Sequence, residues 1–328
     1  MDYPVPFFQI KENRIQCLVC PHQCKIPEGK FGLCKVRAVK NKRLVATNYG
    51  EVTSISLDPI EKKPLYHFKP ESYILSLGTF GCNMTCSFCQ NYEISQKRPN
   101  TQHLSVEELC RLLPTIENNI GIAFTYNEPL MWYEYIYDAI KSIKKYHPHL
   151  DVVLVTNGYI NEEPLMKLLP YVDAMNIDLK GYSNHYYKKI CGATLEPVLE
   201  TIKRANEYCH VEVTTLLVTD ELDILDEVEK ISKFLASVDP NIPLHLSRYF
   251  PRYKMQNEAT SLDMISKALD VAKKYLNYVY IGNVPGSDIN TYCLNCGTLL
   301  IQRHHYHTKC LIKEPICPNC QIPLPLKL

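Results

Sequence analysis

The middle of this chain, from about residue 73 to residue 284, alternates short apolar segments with longer amphipathic ones. The apolar segments are rich in β-branched and aromatic residues, which is typical of strands that are covered on both faces. We predict strands at 73–77, 120–125, 151–156, 174–179, 211–218, 244–247 and 278–281. We predict helices at 105–118, 132–145, 195–208, 222–237 and 260–276. Alternating strands and helices predict an α/β fold with a parallel sheet wound into a full or partial barrel.

Polar residues follow several of the predicted strands. In a parallel barrel the functional groups gather at the carboxyl ends of the strands, so these residues are candidates for a binding site. Each also has a structural interpretation, because Asn-Gly and Lys-Gly pairs form turns, an acidic residue suits a helix start, and a histidine can pack in a core. The candidates are Tyr126, Asn127, Glu128, Thr156, Asn157, Asp178, Lys180 and His245.

Composition and charge narrow the class of protein. The chain has 328 residues, enough for one large domain with smaller satellites. Its net charge of +1 gives no electrostatic footprint for nucleic acid or acidic lipid. No apolar run reaches transmembrane length, and the first residues lack the charged-then-apolar order of a signal peptide. We therefore expect a cytoplasmic protein with no membrane partner and no nucleic-acid partner.

Eleven of the 15 cysteines stand in three groups with the spacing of metal ligands. Without a signal peptide, such groups indicate reduced, metal-bound thiols rather than disulfides. The central group is Cys82, Cys86 and Cys89, directly after the first predicted strand. It supplies one thiolate fewer than a zinc site or a ferredoxin cluster requires, so a 4Fe–4S cluster held here keeps one iron open to an outside ligand. A zinc site completed by a distant fourth residue is the alternative on spacing alone.

The other two cysteine groups lie towards the ends of the chain. The C-terminal group has the paired spacing of a zinc ribbon, in which two knuckles give four thiolates to one zinc ion. The N-terminal group has unequal spacings that fit either a four-thiolate zinc site or a second 4Fe–4S cluster. The C-terminal ligands are Cys293, Cys296, Cys317 and Cys320, and the N-terminal ones are Cys17, Cys20, Cys24 and Cys34. We interpret the nearby His304, His305 and His307 as a solvated hairpin tip.

These groups divide the chain into three parts. Residues 1–70 form an N-terminal Cys-rich metal-binding module, and residues 71–286 form the barrel. Residues 287–328 form a zinc-ribbon-like module whose folding depends on its metal, since so short a segment buries little core.

The central loop, Gly81-Cys-Asn-Met-Thr-Cys-Ser-Phe-Cys89, resembles the C-x3-C-x-aromatic-C motif of the radical S-adenosylmethionine (SAM) superfamily. This resemblance implies a partial (β/α)6 barrel of the TIM type with the cysteine loop after its first strand. It also implies a 4Fe–4S cluster that binds SAM and cleaves it to a 5′-deoxyadenosyl radical, which removes a hydrogen atom from a substrate. The cofactor carries this chemistry, while the protein positions the reactants and excludes water.

Further segments resemble the pyruvate formate-lyase-activating branch of that superfamily. Residues 126–129, Tyr-Asn-Glu-Pro, stand where that branch has Gly-Gly-Glu-Pro, so two glycines are replaced by bulkier residues. Asp178 and Lys180 resemble its Asp-x-Lys pair, and His245 resembles its pocket histidine. We accordingly predict catalytic roles for Lys180 and His245. We predict cofactor binding by Tyr126, Asn127, Glu128, Thr156, Asn157 and Asp178.

Longer strings at 17–24, 58–68, 81–91 and 282–286 resemble the radical SAM component of the AmmeMemoRadiSam system. The sequence therefore predicts an enzyme that draws hydrogen from a protein or small-molecule substrate and takes electrons from an external donor. A glycyl-radical activase is the specific form that the activating-enzyme resemblance implies. The alternative is a non-catalytic iron–sulfur and zinc-ribbon protein, either an electron carrier or a nucleic-acid adaptor. An electron carrier needs no SAM pocket, so the polar residues at the strand ends favour the enzyme.

Overall fold

A computed structural model describes residues 2–11, 14–221, 223–304 and 306–328. Its N-terminal fifty residues form two small antiparallel sheets, with strand orders β1-β6-β5 and β2-β3-β4. The strands are β1 (Tyr3–Pro4), β2 (Phe8–Lys11), β3 (Arg14–Cys17), β4 (Lys25–Ile26), β5 (Arg37–Lys40) and β6 (Arg43–Ala46). Asn41 and Lys42 join β5 to β6 in a two-residue turn with φ of 52° and 57°. Asparagine suits this turn because both central residues need positive φ.

The barrel is one sheet of eight strands. Its strands are β8 (Ser54–Pro59), β9 (Tyr73–Gly78), β11 (Asn119–Phe124), β12 (Asp151–Thr156), β13 (Ala174–Asp178), β14 (His210–Leu217), β15 (Leu244–Arg248) and β16 (Val279–Gly282). The strand β7 (Glu51–Val52) pairs separately with β10 (Gln102–His103). Strands β9 and β11–β16 are parallel, and β8 is antiparallel at one edge.

All seven predicted strands are therefore present, and the sheet ends in two edges, β16 and β8. The prediction of a partial barrel is confirmed. The resemblance implied six strand–helix units, whereas β16 adds a seventh parallel strand. The division at residue 70 also cuts across this sheet, because β8 pairs with β9 along its whole length.

Helices connect the parallel strands. They are α1 (Tyr92–Ser95), α2 (Val106–Leu112), α3 (Tyr133–Tyr146), α4 (Glu162–Leu168), α5 (Asn184–Tyr186), α6 (Glu196–Asn206), α7 (Ile224–Val238) and α8 (Leu262–Ala272). Short 3-10 turns lie at Ile60–Lys62, Leu113–Thr115, Pro129–Trp132 and Leu169–Tyr171, and a π-helix spans Tyr187–Cys191. Ser105 and Glu108 cap α2 reciprocally, as their spacing indicates. The helix predicted at 222–237 is α7, and Leu222 lies outside the described residues.

The segment between β8 and β9 fills the interior of the barrel. Ile60, Leu65 and Phe68 pack there against residues of four parallel strands, namely Ile74, Ala123, Val153 and Ala174. Ile74 and Ala174 stand at or next to the start of their strands, so the apolar side chains of this plug reach the amino-terminal side of the barrel, while Lys62 and Lys63 of the same segment line the cavity at the other end. The carboxyl ends of the strands are left free to surround a site.

The C-terminal residues form a separate small core. Strands β17 (Thr291–Tyr292), β18 (Leu299–His304) and β19 (His307–Cys310) make an antiparallel sheet. Its apolar residues pack with two of the cysteines, in a cluster of Cys293, Leu300, Ile301, Ile312, Cys317, Leu324 and Leu326. His304 and His307 are exposed partners at the end of the β18–β19 hairpin, as predicted, and His305 lies outside the described residues. Within the described ranges, every helix is too short or too polar to cross a membrane.

Candidate active site

A cavity of about 510 Å³ lies at the carboxyl ends of the parallel strands. This volume suits a ligand of cofactor size. Its wall brings together ten of the eleven residues predicted for the catalytic, cofactor-binding and central cysteine positions. They are Cys82, Cys86, Cys89, Tyr126, Asn127, Glu128, Thr156, Asn157, Asp178 and Lys180.

The cysteine loop is held from both sides. Gly81 has a φ of +89°, and a Cβ there would stand 2.7 Å from the Cys34 carbonyl oxygen, so the close approach to the N-terminal module needs glycine. On the other side, the backbone of Thr85 donates to the Cys191 carbonyl at 2.8 Å, and Ser87 donates to Ile190 at 3.1 Å. The loop is therefore clamped between the N-terminal module and the π-helix.

The sulfur of Cys82 accepts hydrogen bonds inside the cavity. The Met84 backbone N–H donates to it at 3.3 Å, and the Asn157 side-chain amide donates at 3.6 Å. Burial raises the pKa of the Cys82 thiol well above its usual value. Because a thiolate needs positive charge in such surroundings, this sulfur is suited to bind a metal centre rather than to act as a free nucleophile.

Both carboxylate oxygens of Glu128 accept hydrogen bonds from other residues of the protein. Its Oε1 accepts from the Thr156 hydroxyl at 2.6 Å and from the Leu130 backbone at 3.0 Å. Its Oε2 accepts from the Asn157 backbone at 2.8 Å. Burial raises the pKa of this carboxyl to about 7, although the three hydrogen bonds act in the opposite direction. Glu128 therefore fixes the turn at Thr156 and Asn157 in the wall of the cavity.

Asp178 and Lys180 form a short ion pair at the end of β13. The Lys180 ammonium stands 2.9 Å from the Asp178 carboxylate, and it lies 5.9 Å from the centre of the Phe88 ring of the cysteine loop. Burial alone would lower the pKa of Lys180, but the charges of Asp178 and of the Cys86 sulfur raise it well above its usual value. A permanent positive charge thus stands beside the cysteine sulfurs.

Tyr126 occupies a backbone conformation that normally needs glycine. Its φ is +74°, which is strained for a bulky side chain. Its hydroxyl donates to Asp58 at 2.7 Å, and Asp58 also pairs with Lys63 at 2.8 Å. A Cβ on Gly78 would stand 2.8 Å from the Tyr126 ring, so the end of β9 must be glycine. Strain at Tyr126 is thus offset by a buried ion-pair network.

Asp58, Lys62 and Lys63 also line the cavity, and sequence reasoning did not predict them as site residues. Burial would raise the pKa of Asp58, but hydrogen bonds from Lys63 and Tyr126 lower it below its usual range. The available signal was an acidic residue followed, four and five positions later, by two lysines. Cys191 was also missed, and a hydrogen bond with Cys86 raises the pKa of its thiol well above its usual value.

His245 lies elsewhere, and its prediction as a residue that follows its strand is wrong. It is the second residue of β15, and its Nε2 stands 2.6 Å from Glu212 inside the barrel. Glu212 is fully buried and also contacts His210 at 3.0 Å. Burial would raise the pKa of Glu212, but hydrogen bonds from the two histidines hold it well below its usual value. The sequence signal for this contact was Glu212 itself, a charged residue within the predicted strand 211–218.

A second and larger cavity of about 1080 Å³ adjoins the first. Lys62, Gln90, Ser247, Asn283 and Tyr306 line both, so the two spaces are continuous along these residues. The wall of the second cavity comes from the loop after β16 and from the C-terminal module, and it includes His245. This space stands beside the cysteine cavity rather than within it.

The three cysteine groups differ in how closely their sulfur atoms approach. Four thiolates around one zinc ion stand about 3.8 Å apart, given Zn–S bonds of about 2.3 Å. Among the described residues, only the C-terminal cysteines bring all their ligand atoms within 4.8 Å of one another. Cys293 and Cys320 are 3.5 Å apart, as are Cys296 and Cys317. The C-terminal group therefore fits a single zinc ion, while the other two groups are more widely spread.

Comparisons with known proteins agree with this geometry. The Radical SAM superfamily signature matches residues 76–235. The uncharacterized protein MJ0808 of Methanocaldococcus jannaschii is 43% identical over 323 residues, which span 96% of this chain and 95% of that protein. MJ1632 of the same organism, provisionally named a glycyl-radical enzyme activating enzyme, is 31% identical over 214 residues, 62% of this chain and 79% of its own length.

A solved structure shows the same fold. The crystal structure of a radical SAM methyltransferase from Sphaerobacter thermophilus has a TM-score of 0.51 at 14% identity, covering 71% of this chain and 71% of that one. The family signature begins within β9 and spans the cysteine loop, the strand-end residues and the ion pair described above. The chain therefore belongs to the radical SAM superfamily of enzymes.

Proposed function

We propose that Cys82, Cys86 and Cys89 hold a 4Fe–4S cluster with one open iron, and that the enzyme uses it to cleave SAM reductively. The observation that carries this proposal is the position of the three thiols on one wall of a cofactor-sized cavity. When bound, the cluster and SAM supply an electron and a 5′-deoxyadenosyl radical that takes hydrogen from a substrate. Three thiolates from one loop, at the spacing of the superfamily's motif, fit a cluster of this kind better than they fit zinc.

The chain's own residues position and shield this chemistry. The Asn157 amide donates to the Cys82 sulfur at 3.6 Å, which stabilises its thiolate form. Glu128 holds Asn157 in place through its backbone at 2.8 Å. Lys180, kept charged by Asp178, is placed to contact the carboxylate of SAM or an anionic group of the substrate. The buried side chains around Cys82 limit access of water, which would otherwise quench a radical.

The substrate is proposed to enter through the second cavity. Its volume of about 1080 Å³ is larger than SAM requires, and it opens into the cysteine cavity along shared residues. The name of MJ1632 supports a polypeptide substrate, with a glycine Cα as the specific site of hydrogen abstraction. An external one-electron donor must supply the reducing equivalent. Membership of an enzyme superfamily leaves no support for the non-catalytic alternative.

We also propose that Cys293, Cys296, Cys317 and Cys320 bind zinc. Their close sulfur atoms match a tetrahedral site, and the Thr298 hydroxyl lowers the pKa of Cys296 to about 5. A low thiol pKa favours the thiolate that zinc requires. This metal would be structural, because four cysteines leave no open position for a substrate.

The decisive experiment is anaerobic incubation of the reconstituted protein with SAM and dithionite. The protein should form 5′-deoxyadenosine, and Cys86→Ala should form none while its far-UV circular dichroism is unchanged. Cys110→Ala is the matched control, since Cys110 lies in α2 away from the cavity and should retain full turnover. Undiminished 5′-deoxyadenosine from Cys86→Ala would contradict the assignment.

A second variant tests the proposed role of Lys180. Lys180→Met removes a charge-assisted contact, so SAM affinity or turnover should fall by about one to two decades. Iron content should stay unchanged in this variant, because Lys180 does not ligate the cluster. Full SAM binding with full turnover would show that Lys180 serves only its ion pair with Asp178.

A further inference from the structure

We propose that a small acidic iron–sulfur carrier protein docks on a basic patch beside the cysteine loop and delivers the electron that the proposed reaction needs. This role rests on the function proposed above, in which an outside donor reduces a cluster at Cys82, Cys86 and Cys89. The basic patch consists of five exposed side chains, Lys97, Arg98, Lys188, Arg252 and Lys254.

The cysteine loop reaches the protein surface between its ligands. Thr85 is exposed and Ser87 is half-buried, whereas Cys86 and Cys89 line the cavity inside the protein. Electron transfer between two proteins is faster when their redox centres are close together. The outer side of the loop, at Thr85 and Ser87, is therefore where a carrier protein approaches the ligands without entering the cavity.

Backbone hydrogen bonds hold two chain segments against this outer side. The Ser87 N–H donates to the Ile190 carbonyl oxygen at 3.1 Å, and the Lys254 N–H donates to the Ser87 carbonyl oxygen at 3.0 Å. Lys188 stands two residues before Ile190, so one exposed lysine comes from each segment. A third segment, α1, begins three residues after Cys89. The basic side chains of all three segments are thus brought to the loop.

Two stacked tyrosines join the third segment to the patch. The rings of Tyr92 in α1 and Tyr253 lie 4.5 Å apart and nearly parallel, at 12°. The Lys97 ammonium stands 5.2 Å from the centre of the Tyr92 ring, and the Lys254 ammonium stands 5.1 Å from that of Tyr253. The Arg252 guanidinium carbon is 5.9 Å from the Tyr92 ring. Half-buried aromatic rings with cations around them are typical of protein–protein interfaces.

The charge of this surface has one sign. Residues 91–98, 185–192 and 250–256 contain six basic residues and one acidic residue, Glu93, a net charge of +5 in a chain whose total is +1. All six basic side chains are exposed. Lys189 is paired with Glu221 at 3.1 Å, and the five residues of the basic patch form no ion pair with any described residue. The patch therefore attracts an acidic partner.

The position of the patch favours an electron carrier over the substrate. Among the described residues that line the two cavities, none belongs to the basic patch. A substrate must enter the cavity to meet the radical, whereas an electron donor needs only to approach the loop from outside. In the transfer the carrier protein loses one electron and the cluster gains it, and no bond is made or broken.

Charge reversal tests the docking. With limiting reduced ferredoxin, an acidic iron–sulfur protein, Lys97→Glu/Lys254→Glu should lower the rate of 5′-deoxyadenosine formation about tenfold or more, because attraction becomes repulsion. With saturating dithionite, which needs no docking surface, the rate and the iron content should be unchanged. The matched control, Lys273→Glu/Lys274→Glu, reverses two exposed charges at the end of α8 and should keep both rates.

Binding gives a readout that does not depend on turnover. Oxidised ferredoxin should bind the reconstituted wild type with an affinity that falls as salt is added, as measured by isothermal titration calorimetry. Lys97→Glu/Lys254→Glu should weaken that binding about tenfold or more. Lys97→Gln/Lys254→Gln, which removes the charges without reversing them, should cause a smaller loss.

Two results would overturn the docking site. One is a ferredoxin rate and affinity of Lys97→Glu/Lys254→Glu equal to those of the wild type. The other is an equal loss of turnover with dithionite at full iron content, which would assign the patch to the substrate or to the active site. A failure of the proposed function looks different, since the wild type would then form no 5′-deoxyadenosine with either reductant.

Discussion

Replacement of Arg37 by methionine should weaken the attachment of the N-terminal module to the barrel. Arg37 lies in β5, and its Nη2 stands 2.9 Å from both carboxylate oxygens of Glu134 in α3. Its Nη1 also donates to the Met131 carbonyl oxygen at 3.2 Å. The side chains of Arg37 and Glu134 are 1% and 2% exposed. The pair is therefore a bidentate ion pair buried where the module meets the barrel.

The size of the effect follows from that burial. Removing one partner leaves a buried carboxylate without its counter-charge, which costs about 3–5 kcal/mol. The matched control is Lys167→Met, because Lys167 and Glu163 also stand 2.9 Å apart but are 51% and 70% exposed. Exposed pairs contribute about 0–1 kcal/mol. The double variant Arg37→Met/Glu134→Leu should recover most of the loss, since it removes both charges together.

Tryptophan fluorescence can monitor the junction between the N-terminal module and the barrel. The chain has one tryptophan, Trp132, whose Nε1 donates to the Asn48 carbonyl oxygen of the N-terminal part at 2.6 Å. Its emission during anaerobic urea unfolding of the metal-loaded protein therefore reports on this junction. The urea midpoint should shift strongly for Arg37→Met, at an unchanged slope, and only slightly for Lys167→Met. A shift for Arg37→Met no larger than the control, or a double variant no better than the single one, would refute the reasoning.

Two further predictions concern the Glu128 carboxyl group and the proposed C-terminal zinc. The pKa of Glu128 is about 7 in the folded protein, above its ordinary value of 4.5. Between these two pH values the folded protein keeps a proton that the unfolded chain has released. The free energy of unfolding should therefore fall as pH rises through this window, by at most about 3 kcal/mol. Urea unfolding of Glu128→Gln at pH about 5 and about 8 should show a smaller fall than the wild type, and an equal fall would contradict the shift. Cys296→Ser should reduce zinc from about one ion per chain to nearly none, as measured by mass spectrometry, whereas Cys310→Ser should keep it. Unchanged zinc in Cys296→Ser would exclude this ligand set.

The barrel and the cysteine cavity could be predicted because their signals are local. A strand covered on both faces is a continuous apolar run, and each strand end is marked by the polar residue that follows it. Cys82, Cys86 and Cys89 stand within eight residues, so their proximity does not depend on the rest of the fold. Parallel pairing then brings Asn127, Thr156 and Asp178 to the same side of the sheet, and the cavity contains all of them.

The contacts that could not be predicted depend on pairs far apart in the chain. Tyr126 meets Asp58 across 68 residues, and His245 meets Glu212 across 33 residues. Such contacts depend on the order and stagger of the strands in the sheet, which no short pattern encodes. The predicted end of the sixth strand was Ser247, yet the position of His245 within that strand decides whether it faces the cavity or the plug. The His245 side chain contacts Glu212 on the neighbouring strand, and the sequence does not show how these two strands are aligned.

The last residues of the chain hold the barrel plug in place. Lys327 donates its backbone N–H to the His67 carbonyl oxygen at 2.8 Å, and its own carbonyl accepts from Lys69 at 2.6 Å. The Arg303 guanidinium donates to the Tyr66 carbonyl oxygen from the same module. The plug is thus tied to the segment for which we propose a structural zinc ion. Chelation of that metal should therefore increase amide hydrogen exchange at residues 66–69, far from the chelated cysteines in sequence. The C-terminal module therefore helps to hold the plug inside the barrel.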